Sequence, residues 1–265
     1  MIGQDRLIKL IDSFTIDNIP KSIIISGDNG SGKHMICNYL GDKLKLPVEE
    51  ITDKFNQDLI EDIMLRTSPY LYIIDGNKLS VRDQNVLLKL LEEPLANSIL
   101  VIIAQYAELL LPTIINRCQK WTMSTYSKQC LRTFVDDSYK GNLTSLLSVA
   151  NTPGKVLFYQ QFDIQKVCKT CDLILDNISK AAFSNALSLD KRFTATNEKD
   201  KIDLSLFTDV FYKVAVDRAV DNKLDPQSFN VIRKWRSKCR LPHVNQKVLF
   251  DNFIIDLWTS MRGKK

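Results

Sequence analysis

The stretch SIIISGDNGSGKH, residues 22 to 34, constrains the fold more than any other. A short, continuous, β-branched run gives way at once to a glycine-rich turn, and a helical pattern follows. A strand with one face in water alternates apolar and polar residues, whereas one that is apolar throughout is covered on both faces, as in a parallel sheet. Two further runs read the same way, LYIID at 71–75 and ILVIIA at 99–104. Helical patterns separate them, from Lys33 to about Asp42, from Asp58 to Arg66, and through SVRDQNVLLKLLEEP at 80–94. In the last of these Ser80 and Asp83 make a capping box and Pro94 a stop. Strand, glycine loop, helix, strand, helix, strand predicts a doubly wound α/β domain with a parallel sheet.

After Trp121 no further strand run stands out, and the chain reads helical. Breaks fall at Asn151–Gly154, Thr194–Asn197, Pro226 and Pro242. We expect an α/β core over residues 1–123, a small helical domain over 124–178 and a final helical domain over 179–265. The polar stretch DKRFTATNEKDKID at 190–203 is a candidate linker or exposed loop. No internal repeat is evident.

Composition narrows the function classes. Hydrophobic residues make up 45% and charged residues 25% of 265, the balance of a globular chain, and no apolar run reaches membrane-span length. MIGQDRLIKLIDSF at the N-terminus is amphipathic rather than a basic-then-apolar leader, so an intracellular, cytoplasmic location is expected. The 6 cysteines are scattered. Cys168 and Cys171 form the single C-x-x-C pair, without the second Cys or His pair that a zinc site needs. Net charge is +5, and residues 176–265 hold 17 Lys and Arg against 11 Asp and Glu. That surplus suits phosphate backbones or a solvated helix face equally well. It peaks in VIRKWRSKCR at 231–240, where Trp235 invites a base-stacking reading. Helical spacing instead puts Val231, Trp235 and Cys239 on one face and favours a core-facing tryptophan.

The glycine loop is the strongest local signal, in a chain with only 9 glycines. Phosphate binding needs backbone N–H groups converging on the anion, then a helix N-terminus and a lysine, and Gly27, Gly30, Gly32 and Lys33 supply that pattern between a strand and a helix. The next position calls for a hydroxyl to hold Mg²⁺, a hard cation that prefers oxygen, and this chain has His34. Asp75, at the end of the run LYIID, fits a second Mg²⁺ contact. Its neighbour Gly76 stands where a carboxylate would polarise water. After the third run comes LLPTIINRC, with Pro112, Asn116, Arg117 and Cys118.

GDNGSGK, IIDGNKLSVRDQNVLLKLLEEP and LLPTIINRCQKW, in that order, resemble the clamp-loader branch of the AAA+ ATPases. These are the gamma and delta-prime type subunits of bacterial and phage DNA polymerase III holoenzymes, akin to replication factor C. The Gln84-to-Pro94 helix and P-T-I-x-x-R-C are the specific parts, and the likeness covers residues 1 to about 160. It implies an AAA+ P-loop core, a helical lid and a helical C-terminal collar. It implies that Gly27, Asn29, Gly30, Gly32, Lys33 and His34 form the nucleotide loop, with Asp75 as the Walker B aspartate and Gln105 near the sensor-1 position. Arg117, within Asn116–Arg117–Cys118, corresponds to the arginine finger that acts in a neighbouring subunit's site. ANTPGKVL at 150–157 resembles the lid segment that carries sensor 2, with Gly154 in place of its arginine and Lys155 beside it.

The departures share one direction: His34 for the hydroxyl, Gly76 for the glutamate, Gly154 for the arginine. The family's zinc cysteines are also missing. The resemblance therefore implies a delta-prime-like subunit that binds ATP weakly or not at all, holds Mg²⁺ poorly and carries no zinc. Such a subunit has no autonomous ATPase activity and lends Arg117 to a partner. Its partners would be other AAA+ subunits in a hetero-oligomeric ring, the sliding clamp and, through the assembly, primer–template DNA at the replisome. Two alternatives stay open, a gamma-like working ATPase and a DNA-binding or scaffold protein with a relic AAA+ domain.

Overall fold

The computed structural model describes residues 3–52, 55–93, 98–178, 203–239 and 245–262. The chain divides into two compact units, Met1–Phe134 with Asn151–Lys155, and Val135–Ala150 with Val156–Lys265. The sequence-based divisions at 123 and 178 fall elsewhere, the second at the edge of the undescribed residues 179–202. The polar stretch from 190, the Thr194–Asn197 break, Pro94 and Pro242 also lie outside the described residues.

The first unit is α/β. Five parallel strands, β1 (Ser22–Ser26), β2 (Val48–Ile51), β3 (Leu71–Asp75), β4 (Ile99–Ala104) and β5 (Gln119–Thr122), lie in the order β2-β3-β4-β1-β5. The three apolar runs are the three inner strands. Their side chains alternate between two separate cores, which explains why they carry no polar face. Ile23, Ile25, Val101 and Ile103 join Leu7 and Ile11 of α1 (Asp5–Asp12) and Ile36 and Leu40 of α2 (Lys33–Leu44). Ile24, Leu100, Ile102 and Ile74 join Ile60 and Ile63 of α3 (Gln57–Leu65) and Leu87 and Leu90 of α4 (Val81–Glu92). Each such side chain contributes about 1.5–3 kcal/mol when fully buried.

Three strands were expected, and the sheet has five. β2 and β5 are the edges, and their sequences, VEEI and QKWT, leave most side chains exposed or half-buried. An edge strand has less apolar cover and carries charges that block further pairing, so it lacks the continuous apolar run used to find the others.

The sheet order decides where the polar groups meet. β4 lies between β1 and β3, with Ser26 opposite Ala104 and Asp75 opposite Ile103. The loop after β1, the end of β3 and the residue after β4 therefore emerge at one edge of the sheet. The expected capping box holds α4 at its start: Asp83 N–H donates to Ser80 Oγ at 3.2 Å, and Ser80 N–H to Asp83 Oδ2 at 3.0 Å. Gln84 of that helix is buried, and its Oε1 accepts from the Leu111 N–H at 2.8 Å. This bond ties α4 to the short helix α5 (Pro112–Ile115) that leads to Arg117.

In the second unit the described residues are helical. α7 (Leu143–Val149), most of α8 (Pro153–Tyr159), α9 (Ile164–Asn177), α10 (Leu204–Val220), α11 (Pro226–Cys239) and α12 (Gln246–Arg262) belong to it, while α6 (Lys128–Arg132) belongs to the first. Its core is aromatic: Trp235 stacks on Phe253 at 4.0 Å between centroids, with Phe207, Phe211 and Phe250 around the pair. Trp235 is thus a core residue, as its helical spacing predicted, and is closed to base stacking, while Arg233, Lys234 and Lys238 stay exposed. Asp209, buried, accepts from Tyr159 Oη at 2.9 Å and from Arg236 at 3.1 Å, which joins α8, α10 and α11. Cys168 and Cys171 sit on α9 with both thiols pushed up by burial. No helix among the described residues is long and apolar enough to cross a membrane, and no group of three or more metal-ligating side chains occurs among them.

Candidate functional site

The glycine loop turns at the end of β1 because two of its glycines take backbone angles that L-side chains rarely adopt, Gly30 at φ 74° and Gly32 at φ 91°. Gly32 caps α2, which starts at Lys33. The loop's main-chain carbonyls are all engaged within the chain. Lys33 Nζ donates to the carbonyls of Gly27 at 2.6 Å and Asp28 at 3.1 Å. Thr152 Oγ1 donates to the Asn29 carbonyl at 2.8 Å, the Gly154 N–H to the Gly30 carbonyl at 2.9 Å, and Tyr126 Oη to the Ser31 carbonyl at 2.7 Å. Lys33 itself is only 7% exposed, and burial lowers its pKa against the opposing pull of Asp28 and Asp75.

Asp28 occupies a variable position of the motif, and the structure makes it central. Its Oδ1 accepts from Gln105 Nε2 at 3.3 Å and its Oδ2 from Asn151 Nδ2 at 2.6 Å. Gln105 is in turn fixed at its main chain, where its N–H donates to Asn77 Oδ1 at 2.8 Å. Asn77 Nδ2 donates to Asp75 Oδ1 at 2.8 Å, and Lys78 lies 3.5 Å from the other Asp75 oxygen. One continuous chain of hydrogen bonds, Asp75–Asn77–Gln105–Asp28–Asn151, therefore runs along the sheet edge, passing through the Gln105 main chain.

The three substituted positions differ in setting. His34 points away from the loop's turn: its ring is half-exposed and Nε2 lies 3.4 Å from Glu50 Oε1 on β2. At Gly76 an added Cβ would lie 3.0 Å from Ile102 Cγ2 and Leu110 Cδ2 and 3.2 Å from the Ile103 carbonyl. A larger residue there requires those neighbours to give way. At Gly154 an added Cβ would lie 2.6 Å from the Gly30 Cα, an approach no side chain permits without moving backbone. Lys155 follows in the first turn of α8, its N–H 3.4 Å from Thr152 Oγ1.

Arg117 belongs to the same unit but shares none of this network. It follows α5, and its side chain is 39% exposed. Nη1 donates to the Thr113 carbonyl at 3.0 Å and Nη2 to Glu92 Oε1 at 2.9 Å. Cys118 beside it is partly buried, its thiol pushed up to about 12 by burial, so it is a packing residue at neutral pH. The structure thus brings Gly27, Asn29, Gly30, Gly32, Lys33, Asp75 and Gln105 to one edge, turns His34 outward and places Arg117 apart. Sequence reasoning missed Asp28, Asn77, Tyr126, Asn151, Thr152 and Glu92. Of these, Asn151 and Thr152 sat in a segment already singled out, without a signal for what they touch.

Residues 40–127 match the family model described as DNA polymerase III, delta subunit. That span holds Asp75, Gln105, Arg117 and the capped helix α4, and begins after the glycine loop. No curated protein sequence matches the chain. Among solved structures, a mutant form of Thermotoga maritima RuvB is 13% identical over 95% of this chain and 83% of that one, with TM-score 0.51. The Thermotoga maritima RuvB Holliday junction branch migration motor is 14% identical over 98% and 87%, with TM-score 0.50. A DNA polymerase III gamma subunit-related protein from the same organism is 16% identical over 97% and 100%, with TM-score 0.49. The chain shares the α/β fold of the two RuvB structures, and the family match over residues 40–127 supports the clamp-loader-like resemblance seen in the motifs.

Proposed function

We propose that this chain is a delta-prime-like subunit of a DNA polymerase clamp loader. In this reading it joins other AAA+ subunits in a ring, its C-terminal helices forming the collar. The ring helps load a sliding clamp onto primer–template DNA at the replisome. The subunit does not hydrolyse ATP itself, and it offers Arg117 to the nucleotide of a neighbouring subunit.

The observation that carries the reading is the contrast between Arg117 and the chain's own loop. An exposed ion pair such as Arg117–Glu92 is worth about 0.2–1 kcal/mol, so the guanidinium can exchange Glu92 for a stronger anion at little cost. The residues at the loop do not suit an ATP–magnesium group. Lys33 is bonded to loop carbonyls, the Asp28 carboxylate stands beside it, and His34 is turned to Glu50. Gly76 offers no carboxylate, and a larger residue there would require Ile102 and Leu110 to give way. A gamma-like ATPase needs those groups at its own loop, which speaks against that alternative.

ATP turnover of the reconstituted loader, containing either the native chain or Arg117→Ala, tests the proposal. A trans-acting arginine contributes about 10³-fold or more to phosphoryl transfer. The substitution is expected to lower DNA-stimulated turnover by about that factor and to leave ring assembly, read by gel filtration, intact. Unchanged turnover in an assembled ring would overturn the reading.

A further inference from the structure

A glycine loop at a helix N-terminus, with a lysine beside it, gathers positive potential and calls for an anion. This chain brings its own. The Asp28 carboxylate lies within the loop and near Lys33, whose pKa it pulls upward against burial. Two amide donors from distant parts of the chain converge on it, Gln105 after β4 at 3.3 Å and Asn151 at 2.6 Å. Behind Asn151 the next residues continue onto the loop, Thr152 to the Asn29 carbonyl and the Gly154 N–H to the Gly30 carbonyl. The Gly30 and Gly154 main chains pass so closely that neither position has room for a Cβ. All of these residues belong to the first compact unit.

We propose that Asp28 is a tethered substitute for a nucleotide phosphate. Its carboxylate supplies the anion the loop requires, engages the two amides that would otherwise be available to a ligand, and fastens the segment Asn151–Gly154 over the loop without nucleotide. A tethered anion loses no translational freedom on binding, so it competes at a high effective concentration. It also repels an incoming triphosphate by like charge. This inference concerns the chain alone and does not depend on ring assembly or on Arg117, so it can fail while the clamp-loader reading stands.

The test is ATP binding to the full chain by equilibrium dialysis, together with hydrogen exchange of the Gly154 amide, in the native protein, Asp28→Ala and Asp28→Asn. The native chain is expected to bind ATP negligibly and to protect the Gly154 amide whether or not ATP is added. Asp28→Ala should gain ATP affinity by about tenfold or more and lose protection at Gly154 by a similar factor, with ATP restoring it. Should Asp28→Ala fail to fold by circular dichroism, Asp28→Asn carries the test, because it keeps the shape and removes the charge. Inorganic pyrophosphate, as a second probe, should follow ATP if phosphate charge is what Asp28 replaces. ATP affinity equal in the native chain and the folded variant would overturn the proposal, as would unchanged Gly154 protection in Asp28→Ala.

Discussion

The glycine loop and the Arg117 segment lie in the same α/β unit, and they use their polar groups in opposite ways. In the loop, every carbonyl from Gly27 to Ser31 accepts a hydrogen bond from the chain itself, and the lysine is 7% exposed. At Arg117 the cation is 39% exposed and held by one carboxylate and one carbonyl of its own segment. Opening the loop means breaking several bonds that shield one another, and a buried group left unpaired costs about 1–3 kcal/mol. Releasing Arg117 costs less than one such bond. The two motif elements therefore differ: the loop's polar groups are held within the chain, and the arginine is the more easily released.

Arg117→Ala puts that contrast under the greatest strain. Beyond its effect of about 10³-fold on the assembled complex, it should shift the unfolding free energy of the isolated chain by no more than about 1 kcal/mol, since it removes an exposed ion pair. A large loss of stability in urea denaturation would make Arg117 structural and erase the contrast.

Gly154→Ala probes the other side. Its Cβ would sit 2.6 Å from the Gly30 Cα, so the loop and the segment over it must separate. Overpacking of this kind costs about 1–3 kcal/mol, and a backbone neighbour places it toward the upper end. Urea denaturation reads the loss. A neutral substitution would show that the loop–segment contact is dispensable and that the loop is no more fixed than Arg117.

These contacts also show how much the sequence could reveal. β1, β3 and β4 were legible because burial on both faces leaves their inner positions apolar and confines polar residues such as Ser22, Ser26 and Asp75 to the ends. β2 and β5 were not, because Glu49, Glu50, Gln119 and Lys120 are what an edge strand carries. The loop, Asp75, Gln105 and Arg117 could be named as candidates from local order along the chain, and the structure gathers all of them but Arg117 at one edge. The Asp28–Asn151 bond joins residues 123 positions apart, and nothing in either neighbourhood encodes the other. Glu92 escaped for a related reason: it reads as one more charge at a helix end until folding sets it beside Arg117, 25 positions on.

Lys33 gives a smaller and pH-dependent contrast. Burial holds its folded pKa below the usual 10.5. Between that lowered value and 10.5 the unfolded chain binds more protons than the folded one, so Lys33 adds stability as pH rises and withdraws it as pH falls through the lowered value. Lys33→Met removes this titration. The stability of the native chain relative to the variant should therefore increase as pH rises toward 10.5, read from urea midpoints at each pH. A flat difference would mean that Lys33 senses water much as Arg117 does.

Glu92 should give the mildest effect, and it isolates what the exposed pair does. Glu92→Gln removes the charge opposite Arg117 while the Thr113 carbonyl still holds Nη1, so the guanidinium keeps one of its two supports. Stability should change by about 0.5 kcal/mol or less, as for other exposed ion pairs. Turnover of the assembled loader should fall only a few-fold, because the proposed trans contact replaces Glu92 rather than adding to it. A loss as large as that of Arg117→Ala would mean that Arg117 acts only as a pair with Glu92. The arginine would then be bound to its own chain as firmly as Lys33 is, and the two regions would no longer differ in kind.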